Sequence, residues 1–183
     1  IDRHERIADR DFLHEYFVPQ RPVILGHLTD GWKAPEKWSF DFFREKYRDV
    51  PVTCSRCFEP NVKQPLARYI DYVEDCDAGR IREPQQSVPL LVVGWYFRQS
   101  QPELMQDYEI PEVFANDWYE KLMPERWKVK SWRILIGPKG SFTKLHHDLL
   151  RTHGWNTLIR GSKRWVLVAP EHTKDVYLET RQS

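Results

Sequence analysis

His146-His147-Asp148 lies just upstream of Trp155-Asn156 and of Gly161-Ser162-Lys163-Arg164-Trp165. Together these residue types can hold a metal and an anion side by side. On an extended strand residues i and i+2 share a face, about 6.6 Å apart at about 3.3 Å per residue. His146 and Asp148 can therefore converge on one ion while His147 points the other way. A histidine and a carboxylate so related are two parts of the two-histidine, one-carboxylate set that grips Fe(II) on one face and leaves positions open on the other. The triplet alone carries little weight. With 7 His and 13 Asp in 183 residues, composition gives about 0.5 His-x-Asp triplets by chance. Its surroundings must decide.

Period-2 alternation over Trp155 to Arg160 puts Asn156, Leu158 and Arg160 on one face and Trp155, Thr157 and Ile159 on the other. Lys163 then begins the returning run. A long cation on the inner face of a small barrel is costly unless an anion meets it. Lys163 therefore suggests a carboxylate-bearing ligand, and Asn156 can donate and accept beside it. The plainer alternative is a solvated hairpin-turn lysine.

The elements that must position these groups follow from pattern. Ala8 to Phe17 reads as a helix with Phe12, Leu13 and Tyr16 on one stripe. Pro22 to Leu25 reads as a short strand. Ser39 is a plausible N-cap for a helix through Tyr47, Val50 to Cys54 reads as a strand, and Pro65 to Glu74 reads as a helix with Pro near its first turn. Val88 to Val93 reads as a buried strand. Residues 101–127 look helical and loop-rich, broken by Pro102, Pro111 and Pro124. From Trp132 the character changes: Trp132 to Ile136, Phe142 to His147, Trp155 to Arg160 and Arg164 to Val168 are strand-like, and Gly161-Ser162 signals a tight hairpin. A helix-rich first half before an antiparallel second half predicts an α+β domain, with the N-terminal helices packed on a jelly-roll or barrel core. The whole of 1–183 reads as one domain, helical to about 130 and carrying the first jelly-roll strands from about 131.

Composition bounds the function. The chain has 40% hydrophobic and 14% aromatic residues, with eight Trp, which excludes disorder and favours a packed core. A net charge of +1 from 28 basic and 27 acidic residues gives no field for a phosphate backbone, so nucleic acid is disfavoured as the main partner. No run of about 18 apolar residues is present, and no basic-then-apolar leader; a cytoplasmic or nuclear setting is the expectation. Cys54, Cys57 and Cys76 are too few for a disulfide framework. Cys54-Ser55-Arg56-Cys57 has zinc-site spacing but lacks two further ligands, so ordinary thiols are the expectation and a zinc-stapled interaction domain the alternative.

The run Trp132-Arg133-Ile134-Leu135-Ile136-Gly137-Pro138, Thr143-Lys144-Leu145-His146-His147-Asp148, Trp155-Asn156 and Gly161-Ser162-Lys163-Arg164-Trp165 resembles the JmjC (cupin-like) Fe(II)- and 2-oxoglutarate-dependent oxygenases. Within them it is most similar to the phosphatidylserine-receptor-type lysyl hydroxylase branch. Phe17 to Trp32, with Arg21-Pro22-Val23-Ile24-Leu25, is similar to the segment that leads into the barrel. The resemblance implies a double-stranded β-helix (jelly-roll, cupin-like) core. It implies that His146 and Asp148 ligate Fe(II), that Lys163 pairs with the distal carboxylate of 2-oxoglutarate, that Thr143 bonds the same region and that Asn156 lines the co-substrate site. The implied reaction is hydroxylation of a C–H bond of a protein side chain, with oxygen as second co-substrate. Thr143 lies an odd interval before His146, so its role needs a bulge or loop between them. A tyrosine that the branch places near the co-substrate falls at Leu91 here, with Tyr96 nearby. The third ligand, a histidine, is expected beyond Ser183, because neither His153 nor His172 fits a late barrel strand. The expected barrel is correspondingly incomplete. A cupin-like module that binds without turnover is the rival reading.

Overall fold

The computed structural model describes residues 1–56, 59–81, 88–128 and 132–176. Cys57, and with it the Cys-x-x-Cys pair, falls outside them. Strand β1 (Asp2–His4) runs parallel to β2 (Val23–Leu25) in a two-stranded sheet, on either side of α1 (Asp9–Phe12) and a π-helical turn, Leu13–Phe17. The single helix expected over 8–17 is thus wound more loosely in its second half. Short α2 (Ala34–Lys37) precedes α3 (Phe40–Lys46). Ser39 caps α3 as its type predicts, its hydroxyl accepting from Phe42 N at 3.1 Å.

Strands β3 (Pro51–Ser55) and β4 (Val62–Pro65) lead into α4 (Leu66–Asp77). Leu66, Tyr69, Ile70 and Val73 on α4 are all buried, the i, i+3, i+4, i+7 stripe of a helix with one apolar face. Pro65 stands at its N-cap in extended conformation, where a missing N–H costs nothing. Strand β5 (Leu91–Trp95) is followed by α5 (Phe97–Ser100), a 3-10 segment at Pro102–Asp107, α6 (Trp118–Leu122), α7 (Glu125–Lys128), β6 (Ile134–Ile136) and, after the site region, α8 (Thr173–Val176). Strands β4-β3-β5-β6 form one antiparallel sheet in that order.

One sheet face carries the core. Val52 and Cys54 of β3 and Val92 of β5 are fully buried against Phe43, Leu66, Ile70 and Leu104, so Thr53, Ser55, Leu91 and Val93 face the other way. A register shift between Val92 and Trp95 rotates Trp95 onto the core face, where its Nε1 donates to Gln101 Oε1 at 2.8 Å. Gly94 sits inside this irregularity because a Cβ there would lie 2.9 Å from Thr53 Cβ. Tyr69 reaches from α4 under the sheet, its hydroxyl 2.9 Å from Leu90 O and 2.6 Å from Ile136 O, and so ties β5 to β6. The coarse α+β expectation, helices with an antiparallel sheet, holds.

The late strands do not form as expected. Among the described residues, 142–147, 155–160 and 164–168 have no ladder partner; a strand is defined by pairing, and alternation alone cannot supply it. The Gly161 position is a bend with φ +83° rather than a paired hairpin. Yet Trp155, Thr157 and Ile159 are partly buried while Asn156, Leu158 and Arg160 are exposed, the period-2 pattern read from sequence. Trp155 packs by its ring on Phe114 at 5.3 Å and Trp132 at 5.7 Å. Arg160 closes the segment onto the N-terminal layer, donating from Nε to Trp38 O at 2.7 Å and from Nη2 to Pro35 O at 3.1 Å. These are carbonyls left open at the end of α2, where a cation is favoured.

Candidate metal and co-substrate site

The irregular segment after β6 carries the His-x-Asp pair. His146 Nδ1 lies 2.7 Å from Lys144 O. A carbonyl only accepts, so Nδ1 bears the proton and the lone pair of the neutral ring is on Nε2. Nε2 stands 3.6 Å from Asp148 Oδ1. With that tautomer, two acceptors face each other across a gap wide enough for a cation. Ligand bonds of about 2.1 Å meeting at about 90–110° would put such donors about 3.0–3.4 Å apart, so a small inward movement seats one ion between them. The carbonyl partner on the far ring nitrogen is the usual outer support of a metal-binding imidazole. Gly154 leaves Asp148 its room, since a Cβ there would lie 3.3 Å from Oδ2. These residues fit a divalent metal. Both side chains are about half exposed, and among the described residues no group of three His, Cys, Asp or Glu gathers around one point.

His146 also borders a cleft of about 500 Å³. Its floor is the outward face of the sheet, with Ser55 of β3 and Leu91 and Val93 of β5. Its opposite wall is Phe142, Thr143 and Lys144, and Glu59 and Asn61 stand on its border. Thr143 and His146 line one cleft because the segment between them is not a regular strand. Leu91 occupies the cleft floor, whereas Tyr96 is not among its lining residues.

The other expected anion groups sit apart from this cleft. Lys163 is exposed, its Nζ 4.2 Å from the Trp165 ring centroid. Desolvation against its neighbours, with the Arg133 guanidinium nearby, holds its pKa below the ordinary lysine value. Asn156 faces solvent. Of the other histidines, His153 stacks on Phe17 at 4.1 Å and His172 pairs with Asp175 at 3.2 Å. Cys54 is a core residue: its Sγ accepts from Gln64 Nε2 at 3.4 Å, and burial pushes its thiol pKa up, away from the thiolate that zinc needs.

Motif reading overlooked Ser55, Glu59, Asn61 and Val93. The signal for Ser55 and Val93 was present, since each alternates with a core residue in its strand. Glu59 and Asn61 belong to a connecting loop, where no period applies.

Residues 9–183 match the cupin-like domain. The chain is 33% identical over 170 residues to the lysine-specific demethylase JMJ21 of Arabidopsis thaliana, covering 93% of this chain and 17% of that protein. It is 32% identical over 180 residues to the bifunctional arginine demethylase and lysyl-hydroxylase psr-1 of Caenorhabditis briggsae, covering 94% and 42%. It is 29% identical over 199 residues to the 2-oxoglutarate and iron-dependent oxygenase JMJD4 of Gallus gallus, covering 97% and 45%. The chain thus spans less than half the length of each of these relatives. With a match that takes in all but its first eight residues, the chain belongs to the cupin-like domain family.

Proposed function

We propose that this chain contributes to an Fe(II)- and 2-oxoglutarate-dependent oxygenase site that hydroxylates a C–H bond of a protein side chain. The observation that carries the proposal is the pair of facing acceptors, His146 Nε2 and Asp148 Oδ1 at 3.6 Å, with the imidazole tautomer held by Lys144 O. The names of the relatives, an iron- and 2-oxoglutarate-dependent oxygenase and a lysyl-hydroxylase among them, support the same chemistry. When bound, Fe(II) couples oxidative decarboxylation of 2-oxoglutarate, to succinate and carbon dioxide, with insertion of one oxygen atom of O2 into the C–H bond.

The protein's part is placement. His146 and Asp148 supply two ligands of the metal set. Lys163 and Thr143 meet the distal carboxylate of the co-substrate, and Asn156 lines its site. Leu91, Val93 and Phe142 give the cleft an apolar wall that strengthens polar contacts within it. The finer architecture we propose is a double-stranded β-helix, which the alternating burial of 155–160 supports. The substrate is a protein side chain such as lysine.

The test is succinate release by the full-length protein given Fe(II), 2-oxoglutarate and oxygen. Succinate above that of a His146→Ala control is the expected result. Equal succinate from both, with iron loading confirmed, would leave the alternative of a module that binds without turnover, which the two-ligand set among the described residues favours. Lys163→Ala should weaken 2-oxoglutarate binding far more than metal binding.

A further inference from the structure

The β5–β6 ladder ends where Val92 pairs with Ile136, and the segment bearing His146 and Asp148 begins there. Continuing that register would set Leu90 opposite Pro138, which has no N–H to give. Helix α4 takes over where the ladder stops. Tyr72 Oη accepts from Leu90 N at 2.9 Å. Tyr69 Oη lies 2.9 Å from Leu90 O and 2.6 Å from Ile136 O, so its one proton is shared between two oxygens that only accept. Asp77, the last residue of α4, accepts from Lys139 N at 3.3 Å. Side chains of one helix thus satisfy the backbone groups that the ladder leaves open.

What leaves this brace is aimed by it. Gly137 passes closely over Leu91 of the cleft floor, where a Cβ would come within 2.7 Å of Leu91 Cδ1. The turn that follows is closed on Pro138 O by Ser141 N at 3.1 Å and Ser141 Oγ at 2.8 Å, with Gly140 at φ +88°. Phe142, Thr143 and Lys144 then wall the cleft, and Lys144 O holds the His146 ring at Nδ1. Among the described residues no ladder steadies 142–147, so the heading of this stretch is set at its root.

We infer that α4 aims the metal pair, with Tyr69 as the positioning residue and Asp77 as its support. Tyr69 fixes Ile136, and the turn carries that placement on to His146 and Asp148. This rests on the metal reading of the pair given above and deepens it. Ligands serve only when held within about 0.5 Å of the working geometry, and a wholly buried hydroxyl is a firm anchor for that purpose.

The test is Mn(II) titration of the full-length protein by calorimetry, with the paramagnetic resonance spectrum of the bound ion as second readout. Tyr69→Phe should weaken Mn(II) about tenfold, the lower end of what outer-shell changes cost, and broaden the spectrum. Tyr47→Phe strips the hydroxyl from another buried tyrosine, one that bonds Glu103 instead. It should leave affinity and spectrum at their wild-type values, which tells lost stability apart from lost aim. Asp77 is exposed, so Asp77→Ala leaves the fold intact and should weaken Mn(II) by a smaller factor. Wild-type affinity and spectrum in Tyr69→Phe, or in Asp77→Ala should Tyr69→Phe not fold, would overturn the inference. So would a loss in Tyr47→Phe equal to that in Tyr69→Phe; in each case the metal pair stands. If His146→Ala binds Mn(II) as the wild type does, the metal reading falls and the inference goes with it.

Discussion

Exchanging Asp148 for alanine removes the carboxylate that faces His146 Nε2 at 3.6 Å and, on the proposed function, leaves one ligand where two stood. Mn(II) affinity, followed by calorimetry, should drop by more than about 100-fold, beyond the 10–100-fold typical of outer-shell changes. Gly154→Ala should give a loss nearer that lower range, because its Cβ would press within 3.3 Å of Asp148 Oδ2. His147→Ala should leave affinity as it is. Equal effects at 147 and 148 would mean that the segment, rather than the pair, is being disturbed. The closeness of His146 to Asp148 was legible in the sequence because an i, i+2 interval is local, although the strand expected to set it does not form. The positions of Lys163 and Asn156 relative to that pair depend on which strands pair, a long-range outcome that no short window encodes. Leu91 shows the converse case: its apolar character was plain in the sequence, and its place on the cleft floor follows only from the β3–β5 register.

At the scale of elements, Asp107 is the junction of the N-terminal layer. It is 2% exposed, and its carboxylate accepts from Lys37 Nζ at 2.7 Å and Trp38 Nε1 at 2.9 Å. Asp107→Ala strands the buried indole N–H and should cost about 2–3 kcal/mol in urea unfolding. A loss under about 0.5 kcal/mol would show that water replaces the carboxylate without penalty. A second tie joins α3 to the 3-10 segment, where Tyr47 donates to Glu103 at 2.9 Å. Hydrogen bonds from the Glu103 backbone and from Tyr47 hold the Glu103 carboxyl below its usual range. A depressed carboxyl stabilises the fold above its unfolded pKa, about 4.3 for glutamate, and that contribution fades as pH falls through the folded value. Tyr47→Phe should therefore lower Tm at pH 7 and approach the wild-type value near about pH 3; a deficit constant across pH would assign the effect to packing. Elements with local punctuation were readable in advance, α3 from Ser39 and α4 from Pro65 and its apolar stripe. The late segments were readable only as alternation, and among the described residues they have no ladder partner.

For the molecule as a whole, apolar surface is unevenly spent. Trp118 and Leu122 of α6 are exposed, and so are Phe142, Leu145, Leu158 and Trp165 to Leu167 late in the chain, Val166 by 71%. Such a patch marks an interface or a liability to associate. The 183-residue chain alone should bind anilinonaphthalene sulfonate and self-associate in sedimentation, and Val166→Glu with Leu167→Glu should cut both. Dye fluorescence unchanged by the double substitution would place the sticky surface elsewhere.

The guanidinium of Arg160 reaches across 122 residues of sequence to Trp38 O. Joining ends so far apart in a bare coil costs about 4 kcal/mol of chain entropy, comparable with what two hydrogen bonds from a charged group return. The clasp therefore gains most where the sheet and its helices have already drawn the two regions together. The stretch that follows His146 and Asp148 is thereby held to the scaffold by a clasp whose strength depends on the scaffold being in place.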